Sequence, residues 1–191
     1  MASVARRTPI IGRLESVADD TPITVRTRTS TTCRATPDAV WRVITDLPSH
    51  LVWSGDRASD EAFKLLSLDA PERTAGVGTE FSSTGANFNG TFHDRSVVTQ
   101  VVEPSTFVIE TDATLERKRG RTWKAHFEHR YDIAPAGEGS RITYTETIDR
   151  VNYVPYWLTW WARPIFRPLV NRADRTQLEN LARLAEERSS P

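Results

Sequence analysis

The sequence predicts an α+β fold: a curved seven-stranded antiparallel sheet around one long C-terminal helix, with two short helices after the first strand. Three observations predict it. Helix signal between the first strand and about Glu61 is confined to two short stretches. From Phe63 to Ile148 the chain is almost all period-two strand pattern with short turns, which implies antiparallel neighbours. The last element alone carries sustained helical periodicity. A single helix packed across the concave side of a bent sheet buries both apolar surfaces and tends to leave a hollow between them.

Residues 1–21 show no sustained periodicity and read as a loose arm before a domain over 22–188. From Ile23, Val25, Thr27, Thr29, Thr31 and Cys33 fall on one side of a strand, with Arg26, Arg28 and Ser30 on the other. Thr36-Pro37-Asp38 supplies a hydroxyl cap, a proline at the first helical position and an acid in the first turn. Val40, Val43, Ile44 and Leu47 form the apolar face of that helix, and a second short helix ends near Trp53. Strands follow at Phe63–Leu68, Val77–Ser83, Thr91–Val102, Phe107–Thr111, Thr122–Ile133 and Arg141–Ile148, with turns around Gly85–Gly90, Glu103–Ser105, Gly120 and Ala134–Ser140. Val170, Ala173, Leu178, Leu181, Leu184 and Ala185 mark the buried stripe of the final helix, whose regular part is expected from about Pro168 to Glu187. Pro164 and Pro168 are expected to precede or kink it.

The chain has 191 residues, 38% apolar and 26% charged, enough for one domain with a real core. Twenty-five basic and 25 acidic side chains cancel, which argues against a dedicated nucleic-acid binder. The lone Cys33 makes no internal disulfide, so the expected setting is a reducing, cytoplasmic one. The first thirty residues lack the apolar core of a secretory signal, and the apolar-rich run Val151–Ala162 is too short to span a bilayer.

The hairpin Thr122–Ile148 is the most informative stretch. Trp123, Ala125, Phe127, His129, Tyr131 and Ile133 share a face of one strand; Ile142, Tyr144, Glu146 and Ile148 share a face of the next. Matching the apolar faces pairs Ile133 with Ile142, Tyr131 with Tyr144, His129 with Glu146 and Phe127 with Ile148. A histidine and a glutamate then stand side by side on the face expected to line the hollow. The pair reads as a polar anchor for a ligand hydroxyl or carbonyl, as a general acid/base pair, or as a buried pair satisfied by itself. Glu146 would raise the pKa of His129 and burial would lower it. Tyr131 and Tyr144 offer hydroxyls on the same face or serve as core aromatics. Phe81, Phe107, Ile109 and Phe127 are expected as cavity wall.

Other motifs carry less. His126 and His129, three apart on a strand, point to opposite faces and cannot share an ion, so no metal site is expected. His50 and the His93-Asp94 pair read as surface polar residues. Gly76-x-Gly78 lacks the strand and helix context of a dinucleotide loop and reads as a turn; no cofactor is expected. Asn89-Gly90-Thr91 reads as a tight turn, and Cys33 as a packing residue.

The order of elements, with TPDAVWRVITDLPSHLVW over 36–53, resembles the START/Bet v 1-like (SRPBCC) superfamily, and within it the bacterial polyketide cyclase/dehydrase and lipid-transport type. VVTQVVEPSTFVIET (97–111), YDIAPAGEGSRITYTETI (131–148) and QLENLARLAEE (177–187) extend the resemblance over roughly 22–188. It implies a helix-grip fold with a hydrophobic cavity between sheet and long helix, with Trp53 near the cavity mouth and 151–166 at one end. It implies no single activity. In that last segment Trp157, Trp160 and Trp161 share a helical face. They read as a lid on the cavity, with Trp157 against a ligand, as a membrane contact flanked by Arg163 and Arg167, as a dimer contact, or as part of the core. The expected function is binding, and possible transport, of a hydrophobic small molecule or lipid in a cavity of roughly 300–1,000 Å³. The alternatives are a cyclase/dehydrase-like enzyme using His129 and Glu146, and a peripheral membrane or partner-binding module using 151–166.

Overall fold

A computed structural model describes residues 21–58, 64–87, 90–117, 122–151 and 156–189, with backbone alone for 21–24, 87, 149–151, 156–171 and 173. The strands are β1 (Thr21–Cys33), β2 (Lys64–Asp69), β3 (Glu80–Asn87), β4 (Gly90–Val102), β5 (Thr106–Arg117), β6 (Trp123–Ala136) and β7 (Gly139–Val151). They form one antiparallel sheet in the order β1-β7-β6-β5-β4-β3-β2. Between β1 and β2 lie α1 (Pro37–Thr45), a 3₁₀ turn (Leu47–Ser49) and a π-helical turn (Leu51–Asp56); α2 (Tyr156–Ser189) ends the chain. The α+β helix-grip architecture is therefore present; β2 to β7 form a meander, and β1 adds to it beside β7, leaving β1 and β2 as the two edges.

α1 forms where its signals lie. Thr36 Oγ1 accepts from the Ala39 N–H at 3.3 Å, a cap worth about 1 kcal/mol. Val40, Val43, Ile44 and Leu47 are each at most 1% exposed. This face meets Phe107 of β5, whose ring takes the edge of Trp41 at 6.0 Å, and Leu181, Leu184 and Ala185 of α2 belong to the same core. Burial of each large apolar side chain contributes about 1.5–3 kcal/mol, so this cluster is where α2 is held.

Three boundaries differ from expectation. Val77 lies in a turn and is 67% exposed, because Gly78 adopts φ +81°, a left-handed conformation that ends the extended run. Gly85 lies inside β3, so the β3–β4 turn is shorter than its glycines suggested; Asn89 lies outside the described residues. α2 begins at Tyr156 rather than near Pro168 and keeps helical backbone across Pro164 and Pro168. A proline removes one donor and crowds one carbonyl, which bends a helix without having to end it. Of the expected arm, 1–21, residues 1–20 lie outside the described residues and Thr21 already belongs to β1. Among the described residues no helix is long and apolar enough to cross a membrane.

Candidate functional site

The β6–β7 register sets the site. Ile133 pairs with Ile142, Tyr131 with Tyr144, His129 with Glu146 and Phe127 with Ile148. Apolar matching along the two strands selects this register, since a slip of one residue would turn Ile142 and Ile133, now 0% and 5% exposed, to the outer face. Paired residues share a face, so the rows continue across the sheet: Glu146 pairs with Thr27 of β1, and His129 with Ile109 of β5.

Over this concave face lies α2. Its Asp174, 8% exposed, accepts from Thr27 Oγ1 at 3.1 Å, which fixes the carboxyl opposite Glu146. On the sheet, the Tyr144 hydroxyl donates to Glu146 Oε2 at 3.1 Å and lies 2.7 Å from His129 Nδ1. A phenol has one proton. With that proton directed at Glu146, Nδ1–H donates to the Tyr144 oxygen and His129 Nε2 is left with a lone pair, without a hydrogen-bond partner among the described residues. Phe127 stacks on the imidazole from the other side at 5.7 Å.

Burial dominates the ionisation here. It pushes Glu146 up to about 8, with Asp174 adding to the rise and the Tyr144 hydrogen bond opposing it. It pushes Asp174 up to about 6, against the Thr27 hydrogen bond. His129 is pushed down to about 4 by burial, with His126 and His50 adding to the drop. The carboxylate support expected for a His129 imidazolium is thus missing, because Glu146, 3.8 Å away, itself stays protonated near neutrality. Both tyrosines are raised, chiefly by burial.

A small pocket lies between the concave face and α2. Trp53, Tyr131, Tyr144, Asp174, Gln177 and Leu178 enclose about 10 Å³, the space of a single water. Its aromatic walls pack on one another: Tyr131 lies 4.9 Å from Tyr144 and 6.4 Å from Trp53. An open depression of about 240 Å³ lies elsewhere, between the end of β1 and the last turns of α2, lined by residues including Cys33 and Arg183.

The predicted residues divide accordingly. Tyr131, Tyr144 and Trp53 line the small cavity, and His129, Glu146 and Phe127 lie beside it. Trp53 is 3% exposed, so it is a wall rather than part of a mouth, and its Nε1–H has no partner among the described residues. Phe107 and Ile109, expected as wall, belong with Trp53, Tyr131 and Tyr144 to one buried cluster, and Phe81 packs against it half-buried. The side chains of Trp157, Trp160 and Trp161 lie outside the described residues.

Asp94, expected at the surface, is partly buried and accepts from Ser83 Oγ; three more residues were misread or missed. His50 is buried rather than superficial; its Nε2–H donates to the Ile44 carbonyl at 2.8 Å, it packs 4.7 Å from Trp53, and burial lowers its pKa to about 4. Asn180, interior to α2, donates to the carbonyls of Trp53 and Arg57 and so ties the π-helical turn to the helix. Asp174 broke the apolar stripe of α2, the one signal that could have found it. His126, by contrast, lies 2.8 Å from Asp112 Oδ1, a partner the His129 group does not share.

The protein TTHA0849 from Thermus thermophilus superposes with a TM-score of 0.60 at 17% identity, covering 87% of this chain and 100% of that one. Ara h 8.0201 gives 0.55 at 12%, covering 86% and 99%. DynU16, a protein of the dynemicin biosynthetic locus, gives 0.51 at 16%, covering 84% of this chain and 47% of that one. These likenesses establish the START/Bet v 1-like fold. A search of curated protein sequences finds no match. The family model for polyketide cyclase/dehydrase and lipid transport matches residues 24–186, and a family of this kind suggests a hydrophobic ligand. With most of its length matched, the chain belongs to the polyketide cyclase/dehydrase and lipid transport family.

Proposed function

We propose that this protein binds a hydrophobic small molecule or lipid between the concave face and α2, and orients its polar end on His129, Tyr144, Glu146 and Asp174. The observation that carries the reading is the Tyr144 hydroxyl held between His129 and Glu146 on a face otherwise built of Phe127, Tyr131 and Ile148. The His129 Nε2 lone pair accepts a ligand hydroxyl, and the apolar body gains burial at about 25 cal/mol per Å². A carrier role in the cytoplasm is part of the same proposal, supported by the family and by the single free Cys33. Native mass spectrometry of protein purified from its own host tests it: a retained small molecule supports the reading, and ligand-free protein that also takes up no added amphiphile refutes it.

One observation favours an enzymatic reading as the alternative. Glu146, held protonated to about pH 8, and the neutral His129 stand on one face with opposite capacities. In a cyclase or dehydratase of a polyketide-like substrate, His129 would take a proton from carbon and Glu146 would give one to the departing hydroxyl. His129→Ala would then lower kcat far more than it raises KM.

A further inference from the structure

The concave face carries a second polar group that the site above does not use. The register runs from Phe127 through Thr111 to Ser96 and Phe81, and in the next row from Ala125 through Ala113 to Asp94 and Ser83. Asp94 therefore lies on the same face as His129, two strands across and four residues along. At spacings of about 4.8 Å and 3.3 Å that is about 16 Å measured over the sheet. Between the two lie Phe127 and Ile109.

The surroundings of Asp94 are built and mostly buried. Ser96 and Thr111, 7% and 6% exposed, share a hydrogen bond of 2.9 Å. Ser83 Oγ donates to Asp94 Oδ2 at 3.4 Å, while Asp94 Oδ1 is buried and has no partner among the described residues. Burial raises the Asp94 pKa to about 6, so the group is still largely a carboxylate at neutral pH. A buried carboxylate oxygen without a donor is costly, and such atoms in native proteins call for a ligand or water.

We propose that Asp94, flanked by Ser83, Ser96 and Thr111, is a second polar subsite of the cleft, which takes a hydrogen-bond-donating group such as a hydroxyl at the end of the ligand remote from Glu146. The ligand class is then an elongated apolar molecule with oxygen functions at both ends. A second carboxylate in that place is disfavoured by like charge. This inference rests on the cleft being the ligand site.

The test compares decanol with α,ω-decanediol by isothermal titration calorimetry. Wild-type protein binds both, and the second hydroxyl raises affinity roughly tenfold or more, the gain expected of a hydrogen bond to a charged acceptor. In Asp94→Ala the diol loses that gain while decanol affinity is unchanged. Asp94→Asn, which keeps the shape and drops the charge, shows a reduced gain and serves if the alanine variant does not fold. Equal wild-type affinities for the two probes, or a gain that persists in Asp94→Ala, overturn the second subsite and leave the cleft reading standing. Binding of neither probe overturns both.

Discussion

The Tyr144 hydroxyl lies 2.7 Å from His129 Nδ1 and donates its hydrogen bond to Glu146 Oε2, so one phenol fixes the tautomer of the imidazole beside it. Tyr144→Phe removes that oxygen and leaves Nδ1–H and the Glu146 carboxyl short of a partner in a buried place. The expected loss is about 1–3 kcal/mol of stability in urea unfolding. A loss near zero would mean that water already serves these groups.

The acid groups give a pH signature with a definite sign. Glu146 is raised from 4.5 to about 8 in the folded state, so the folded protein binds more protons than the unfolded chain between those values and loses stability as pH rises. Asp174 and Asp94, raised from 3.8 to about 6, act in the same sense at lower pH. His129 and His50, lowered from 6.5 to about 4, act in the opposite sense up to pH 6.5. Above 6.5 only Glu146 remains among these groups, so stability falls from pH 6.5 to 8. Glu146→Gln flattens that limb. Denaturant midpoints across the window check it, and a wild-type curve that is flat or rising there contradicts the assignment.

Asn180 should matter beyond its size. Its amide holds the Trp53 and Arg57 carbonyls at 3.2 and 2.9 Å, and Asn180→Ala leaves the π-helical turn tied to α2 mainly through the Arg57–Glu187 ion pair. A loss of about 1–3 kcal/mol is expected, with changed Trp53 fluorescence reporting its neighbour. Asn180→Asp, which has no donor in its ionised form, should be no better.

Two glycines separate close approach from open turn. A Cβ on Gly139 would run into the Cys33 carbonyl where β7 meets β1, whereas one on Gly76 meets nothing within 4 Å. Gly139→Ala is expected to cost about 1–3 kcal/mol and Gly76→Ala less than about 0.5 kcal/mol, measured by thermal or urea unfolding. Similar costs for the two would contradict the tight β1–β7 contact.

The hairpin was legible because alternation and matched apolar faces leave only one register that buries Ile133 and Ile142. α1 was legible from Thr36-Pro37-Asp38 and its apolar face, which are local signals. Asp174 was not, because its partner Thr27 lies 147 positions away and only packing of α2 on β1 brings them together. His50 was misread for a similar reason: what satisfies it is the backbone carbonyl of Ile44, and backbone partners leave no mark in side-chain patterns. How the Trp53, Tyr131 and Tyr144 rings meet was illegible, because ring packing is not specified by composition.

The central assignment is that an apolar ligand lies on the concave face with its polar end at Tyr144, and locating a bound ligand tests it most directly. Intermolecular NOEs between decanol and the isotopically labelled protein are expected to the rings of Phe127, His129 and Tyr144. NOEs confined to the region of His126 and Asp112, or a titration without any bound-state signal, would contradict it.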